Sequence, residues 1–298
     1  MSPTAVLALA IFGISMAGPL TRLSGAPAIT VAAGRLGFSL IVVAIALVVT
    51  GSWRQLARLR RQDLGVAVGA GAMLAIHFWA WNASLNLTTV SASVVLVDMQ
   101  PAIVGLLSIL WLHERPTRRQ WSGIAIAMAG AVVVVLPDLL REGAGHGGRA
   151  LFGDGLAFLG AIAGATYFVA GRKLRATLDL WPYVAVVYSA CFLVLVGAAH
   201  ATHATLLPQP PRELAIFAAL ALGPMLLGHT GFNYALRYVP AYVVNLALLG
   251  EPVGATILAA VIPGIRELPN WGTVVGGALI IYGIARATRA ARDVAVPD

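Results

Sequence analysis

Of cysteine and of lysine, the 298 residues contain one each, Cys191 and Lys173. A single thiol excludes a disulfide framework and any multi-cysteine metal site. The single lysine lies in no Gly-x-x-x-x-Gly-Lys-Ser/Thr sequence, so the chain carries no phosphate loop and no ATPase of its own. His-Glu-x-x-His is missing too, because His113-Glu114 runs into Arg115-Pro116. Serines such as Ser91, Ser93 and Ser108 are scattered without a nucleophile elbow. Charge is scarce: 11% of residues are Asp, Glu, Lys or Arg, against roughly 25% in an ordinary soluble domain. Nothing here calls for a cofactor or a catalytic centre.

What is present is apolar surface. Hydrophobic residues make up 59% of the chain and mean hydropathy is +0.85. A helix needs about 20 apolar residues to cross a hydrocarbon core about 30 Å thick. Ten segments qualify: Thr4–Thr21, Pro27–Thr50, Leu64–Leu85, Thr88–Trp111, Trp121–Leu136, Leu151–Gly171, Pro182–Ala199, Leu214–Tyr234, Val239–Ile262 and Trp271–Ala285. The expectation is an all-α integral membrane protein of ten spans. The first span lacks a basic leader and a good cleavage site, so it is read as a span and not a signal peptide. The longest connection expected is the Gly-rich stretch Pro137–Ala150, too short for a soluble output domain such as a sensor would carry.

The net charge of +8 could point to nucleic acid, but its placement argues otherwise. With the N-terminus in the cytoplasm, the inner loops and tail hold Arg54, Arg58, Arg60, Arg61, Arg115, Arg118, Arg119, Arg172, Lys173, Arg175, Arg237, Arg286, Arg289 and Arg292. The outer loops hold only Arg22, Arg141, Arg149, Arg212 and Arg266. That is the positive-inside bias of a multi-pass inner-membrane protein with both termini cytoplasmic. The partners expected are lipid and a small solute, not nucleic acid.

The second half repeats the first. Ser84-Leu85 and Asp98-Met99-Gln100-Pro101 return 151 positions later as Ala235-Leu236 and Leu249-Gly250-Glu251-Pro252. At an offset of 153, His113-Glu114-Arg115-Pro116 answers to Arg266-Glu267-Leu268-Pro269, Gly123 to Gly276 and Gly130 to Gly283. Residues 1–137 and 151–286 thus form two units of five spans, with residues 287–298 a tail. An odd number of spans turns the second unit upside down, the arrangement of transporters whose substrate binds between the halves near the midplane.

Charge inside a span costs roughly 2.5–3.5 kcal/mol on insertion scales. Arg35, Asp98 and Glu251 fall at similar depth, about 12, 15 and 16 Å from the outer side at 1.5 Å per residue. They are candidates for the site, although Arg35 could simply tie helices by pairing with one acid. Two acids against one cation leave a surplus negative charge that protonation of a carboxylate could absorb. Pro101 and Pro252 follow the acidic positions in both repeats and are expected to break their helices, as hinges or as packing kinks. In span three, His77, Trp81 and Ser84 share one face with Phe78 and Asn82 beside them, a stacking surface for a small amphipathic solute. An interfacial aromatic belt is the alternative, and it suits Trp79 better than Trp81. The counterpart Gly228-His229-Thr230-Gly231-Phe232-Asn233-Tyr234 again joins histidine, asparagine and aromatics, which puts His229 and Asn233 on the candidate list with Gln100. Gly160-x-x-x-Gly164 and Gly272-x-x-x-Gly276 are read as internal packing, so a monomer or a weak homodimer is expected.

These residues resemble a known pattern. Ser84-Leu85 through Thr88, Ser93, Leu96 and Pro101 to Leu112-His113-Glu114-Arg115, then Trp121-x-Gly123 and Gly130, are similar to the EamA repeat of the drug/metabolite transporter superfamily. Leu249-Gly250-Glu251-Pro252 through Glu267, Gly276 and Gly283 resembles it again. Phe12-Gly13 stands where the family has Trp-Gly, and Trp271 comes three positions early relative to Trp121. The resemblance implies a central cavity walled by spans 1, 3, 4, 6, 8 and 9, and secondary transport, often export of amino acids or related metabolites. Multidrug or nucleotide-sugar carriage is the alternative, the latter poorly served by one cavity cation. The resemblance also adds Tyr167 and Trp181 to an aromatic cavity and makes Glu114 and Glu267 helix ties.

Overall fold

The computed structural model describes residues 2–84, 87–88, 93, 96–142, 148–261 and 271–294. All regular structure among them is helical. The helices are α1 (Pro3–Ser15), α2 (Ala17–Arg22), α3 (Ala28–Val49), α4 (Trp53–Leu56), α5 (Arg61–Ser84), α6 (Gln100–Leu107), α7 (Arg118–Glu142), α8 (Gly148–Arg175), α9 (Leu180–Ala201), α10 (Pro211–Leu220), α11 (Thr230–Ala235), α12 (Ala241–Leu248), α13 (Glu251–Val261) and α14 (Trp271–Val294). Wider π-helical turns prolong α6 over Ser108–Leu112 and join α10 to α11 over Ala221–His229.

Among the described residues, six apolar stretches are long enough to cross a membrane: Pro3–Thr21, Ala28–Val49, Arg61–Ser84, Gly148–Arg175, Leu180–Ala201 and Pro211–Ala235. Gln100–Leu112 and Ala241–Ala255 are shorter apolar helices. A helix satisfies its own backbone polar groups, which lipid would leave bare, so continuous Ala, Val, Ile and Leu runs fold this way. Polarity is turned inside out. Ile41, Ile45, Leu106, Leu110, Leu193 and Ile281 are exposed, while Arg35, Gln100, His229, Asn233 and Asn245 are buried. An apolar exterior of this extent suits a lipid surround. The helix ends carry the charge: Asp63 opens α5 beside Arg60 at 2.8 Å, and Arg172, Lys173 and Arg175 close α8 against its negative dipole end.

Helix limits differ from those expected in instructive places. The first span is two helices meeting at Met16. The stretches expected as spans four and nine are broken, at Asp98-Met99 and at Leu249-Gly250, directly before Gln100-Pro101 and Glu251-Pro252. Pro137, expected to end a helix, sits inside α7, which runs on to Glu142. The carbonyl of Val133, left without the proline's N–H, lies against Gly272, as does the proline ring, so the absence of a side chain there makes the space. The remainder of the expected loop, 143–147, and Glu267 lie outside the described residues. His113 ends the π-helical turn in the left-handed region, and Pro116 follows, a common way to stop a helix.

The packing repeats as the sequence does. Helix α6 opens 151 residues before α13, and α7 opens 153 before α14. Helix α5 packs on α8 as α11 and its π-helical approach pack on α1. Similarly, α6 packs on α8 as α13 does on α1, and α5 on α9 as α10 does on α3. Helices α3 and α9 touch each other, and so do α7 and α14.

Candidate functional site

A buried polar cluster forms where α3, α5, α8, α9 and α11 converge. Arg35 is 9% exposed, and its guanidinium carbon sits 3.9 Å from the centroid of the Phe78 ring. Phe78 meets His229 edge-on at 5.6 Å, and His229 meets Tyr167 at 6.5 Å. The π-helical segment around Pro224 delivers His229, with the Thr230 hydroxyl bonding the Met225 carbonyl five residues back at 3.1 Å. Asn233, one turn further, donates from Nδ2 to the Tyr167 hydroxyl at 2.6 Å and reaches that of Tyr188 at 3.5 Å. The Tyr188 hydroxyl also pairs with Thr230 Oγ1 at 2.8 Å.

Next to this cluster lie the two helix breaks. Gln100, at the start of α6, accepts from Asn245 Nδ2 at 2.9 Å, tying α6 to α12. Pro101 is buried, and Pro252 holds the same place in α13. Glu251 feels both Asp98 and Arg35 electrostatically. No ion pair joins Arg35 to either carboxylate among the described residues.

Unpaired polar atoms concentrate here. Arg35 Nε and Nη2, His229 Nδ1, Asn233 Oδ1, Asp98 Oδ2 and Trp81 Nε1 are buried without a hydrogen-bond partner among the described residues. Each such group costs about 1–3 kcal/mol, more when charged. The Phe78 ring returns to Arg35 about 0.5–2 kcal/mol, less than the roughly 2.5–3.5 kcal/mol of placing the charge in the bilayer. The arrangement is therefore poised to accept an anion at Arg35 and polar groups around it.

The expected residues mostly meet, with exceptions. His77 turns toward α8, its Nδ1 2.9 Å from the Gly160 carbonyl, and touches the cluster through Phe78, ring to ring at 5.5 Å. Trp81 lies one turn on, its backbone against Gly160. Asn82 lines a separate crevice of about 200 Å³ between spans two, three and seven, together with half-exposed Trp79 and with Ala32. Trp181 opens α9 about 10 Å along the helix from Tyr188, at 1.5 Å per residue, and makes no ring contact with the cluster among the described residues. Tyr188, Thr230 and Asn245 were missed. Their signal was faint: Val184, Val187, Tyr188, Cys191 and Leu195 trace one buried face of α9 in which a single hydroxyl is easily overlooked. Glu114 ties helices as anticipated, accepting from Arg172 Nε at 2.7 Å. Gly160 packs on α5, Gly164 on Gln100 and Gly276 on Gly130, so these glycines serve internal contacts.

The fold is shared with a protein of known crystal structure at a TM-score of 0.82 and 20% identity, with 99% of each chain covered. At that identity the likeness concerns the fold alone. In sequence the chain is 27% identical over 255 residues to a "Probable terminal-alkyne amino-acid exporter" of Streptantibioticus cattleyicolor, covering 84% of this chain and 82% of that one. The family model for EamA-like transporters matches residues 3–136 and again 151–288. With nearly the whole chain so matched, this protein belongs to the EamA-like transporter family and is a membrane transporter, not an enzyme.

Proposed function

We propose that the protein exports amino acids, aromatic or other neutral ones above all, or closely related small metabolites across the bacterial inner membrane by alternating access. The observation that carries this is Arg35: a buried cation over an aromatic ring, with two free N–H groups and no ion pair. Guanidinium binds carboxylates through two parallel hydrogen bonds, and that geometry suits the α-carboxylate of an amino acid. Asp98 and Glu251, at the helix breaks, offer negative charge for the α-ammonium group. Phe78, Trp81, Tyr167 and His229 offer stacking surface for the side chain. The amino-acid exporter of S. cattleyicolor lends this class further support.

The ten spans form two inverted repeats in this reading, and the exchange-symmetric packing of α1, α3, α5 and α6 with α8, α9, α11 and α13 supports it. The halves rock about the breaks beside Pro101 and Pro252. Both termini are cytoplasmic, as the arginine placement argues. The test is direct. Cells expressing the protein should tolerate toxic amino-acid analogues, and purified protein in liposomes should move a neutral amino acid. Liposomes that pass no amino acid would overturn the reading.

A further inference from the structure

Away from the cluster, a pocket of about 540 Å³ opens where spans four, six and eight end, on the side the arginine bias assigns to the cytoplasm. Its size is that of a small-ligand site, about 300–1,000 Å³. Arg172, Lys173 and Arg237 line it against a single lining carboxylate, Glu114. Glu114 takes Arg172 at 2.7 Å, and Asp179 takes Arg237 at 3.0 Å from the rim. Arg172 is further engaged with the Leu236 carbonyl at 2.7 Å. Lys173, exposed on α8, has no partner among the described residues. The pocket therefore holds one cation more than its acids neutralise.

The walls face outward, not toward the cluster. Trp111 and Tyr238, both in the lining, are 55% and 52% exposed. Tryptophan and tyrosine with such exposure settle at the headgroup level of a bilayer. From Trp111 the exposed aliphatic face continues down the same span through Leu110 and Leu106. On the other wall, the exposed stripe of α8 that ends in Lys173 begins with Phe158 and Ile162. A cationic head space, an aromatic rim and apolar rails beneath it match one class of molecule.

We infer that this pocket binds the phosphodiester headgroup of an anionic phospholipid, with Lys173 as its unpaired cation, Trp111 and Tyr238 at the glycerol level and the acyl chains along Leu106 and Leu110. The site is independent of the substrate proposed above. It would make the protein's stability depend on the anionic lipid of the leaflet that carries most of the surface charge.

The full-length protein is compared in nanodiscs of phosphatidylcholine, with and without phosphatidylglycerol, by its thermal midpoint. A ligand bound only to the folded form raises that midpoint. Phosphatidylglycerol should raise it in the wild type. Lys173→Gln should weaken the apparent affinity for that lipid about fivefold, as expected for one interfacial cation. Lys173→Arg should restore it. Arg58→Gln, which removes an exposed cation elsewhere on the same side, should respond as the wild type does. The proposal fails if phosphatidylglycerol gives no rise, or if Lys173→Gln keeps the full response. It fails equally if Arg58→Gln loses as much, which means diffuse surface charge. A matching rise from inorganic phosphate in phosphatidylcholine discs would make this a free-phosphate site and overturn the lipid assignment. None of these outcomes depends on transport being observed.

Discussion

Gly123 packs directly against Gly283: a Cβ on Gly123 would come within 2.7 Å of the Gly283 carbonyl oxygen, and one on Gly283 within 2.6 Å of the Gly123 carbonyl. Gly130 and Gly276 meet in the same way, at 2.7 and 2.5 Å. By the sequence repeat, Gly123 corresponds to Gly276 and Gly130 to Gly283, so each glycine touches the counterpart of the other. Crossed pairing of this kind sets α7 and α14 antiparallel and supports the two-fold relation of the proposed inverted repeats. Overpacking such a contact costs about 1–3 kcal/mol. Gly123→Ala and Gly276→Ala should therefore lower the unfolding midpoint in detergent by similar amounts. A large loss in one and none in the other would argue against the symmetric contact.

Arg35→Met separates a binding role from a structural one. Taking away a buried charge with no ion pair, and putting an apolar chain of similar length over Phe78, should leave thermal stability unchanged or raise it. Loss of the carboxylate contact should weaken substrate binding at least tenfold, about 1.4 kcal/mol. Ligand-induced stabilisation across a panel of amino acids, with wild type and variant side by side, reads both quantities. If the variant unfolds early and its affinity is intact, Arg35 is a helix tie.

The breaks at Asp98-Met99 and Leu249-Gly250 were legible because proline at 101 and 252 removes a donor whichever fold surrounds it. Internal packing at Gly160, Gly164, Gly272 and Gly276 was legible from their four-residue spacing, but not that Gly123 meets Gly283. Other features were not. The spans of this chain are apolar on nearly every side, so periodicity selects a face only where polar residues recur, as at His77 and Trp81. Asn82 is one turn from Phe78, yet the neighbouring spans two and seven draw it into a crevice of its own. That depends on which helices lie alongside. Tyr188 joins Asn233 from 45 residues away, and Asn245 joins Gln100 from 145, both contacts made only by tertiary packing. Helix α7 passes through Pro137 because Gly272 lies opposite it, on a helix more than a hundred residues later.

Trp79 and Trp81, two residues apart, are predicted to behave in opposite ways. Trp79 is 48% exposed, whereas the Trp81 indole nitrogen is buried and unpaired. Trp81→Ala should remove roughly 1.5–3 kcal/mol of apolar contact with substrate and weaken affinity about tenfold or more. Trp79→Ala should leave affinity nearly intact and lower expression or stability. His77→Ala should reduce affinity and also cost about 1 kcal/mol of stability, since its ring holds the Gly160 carbonyl. Titration of a fluorescent or radiolabelled amino acid into each purified variant gives the ranking. The reverse order, with Trp79 critical and Trp81 silent, would remove the α5 face from the site.

The last prediction concerns what drives the cycle. Glu251 lies in the electrostatic field of both Arg35 and Asp98, so two carboxylates stand against one arginine near the midplane. With two acids and one cation, the empty site carries a surplus negative charge, which one acid sheds by holding a proton. A substrate ammonium group that settles against that acid takes the proton's place. Proton release is then tied to substrate binding, the sense that export against an inward proton gradient needs, and an imposed pH gradient across proteoliposomes should shift the final accumulation of amino acid. Glu251→Gln, which is neutral at every pH, should abolish that shift while substrate-for-substrate exchange continues. Asp98→Asn tests the other carboxylate in the same assay, and only one of the two variants should lose the response. If wild-type accumulation stays at the substrate's own equilibrium under every gradient, the carrier is a uniporter and both acids serve binding or structure alone.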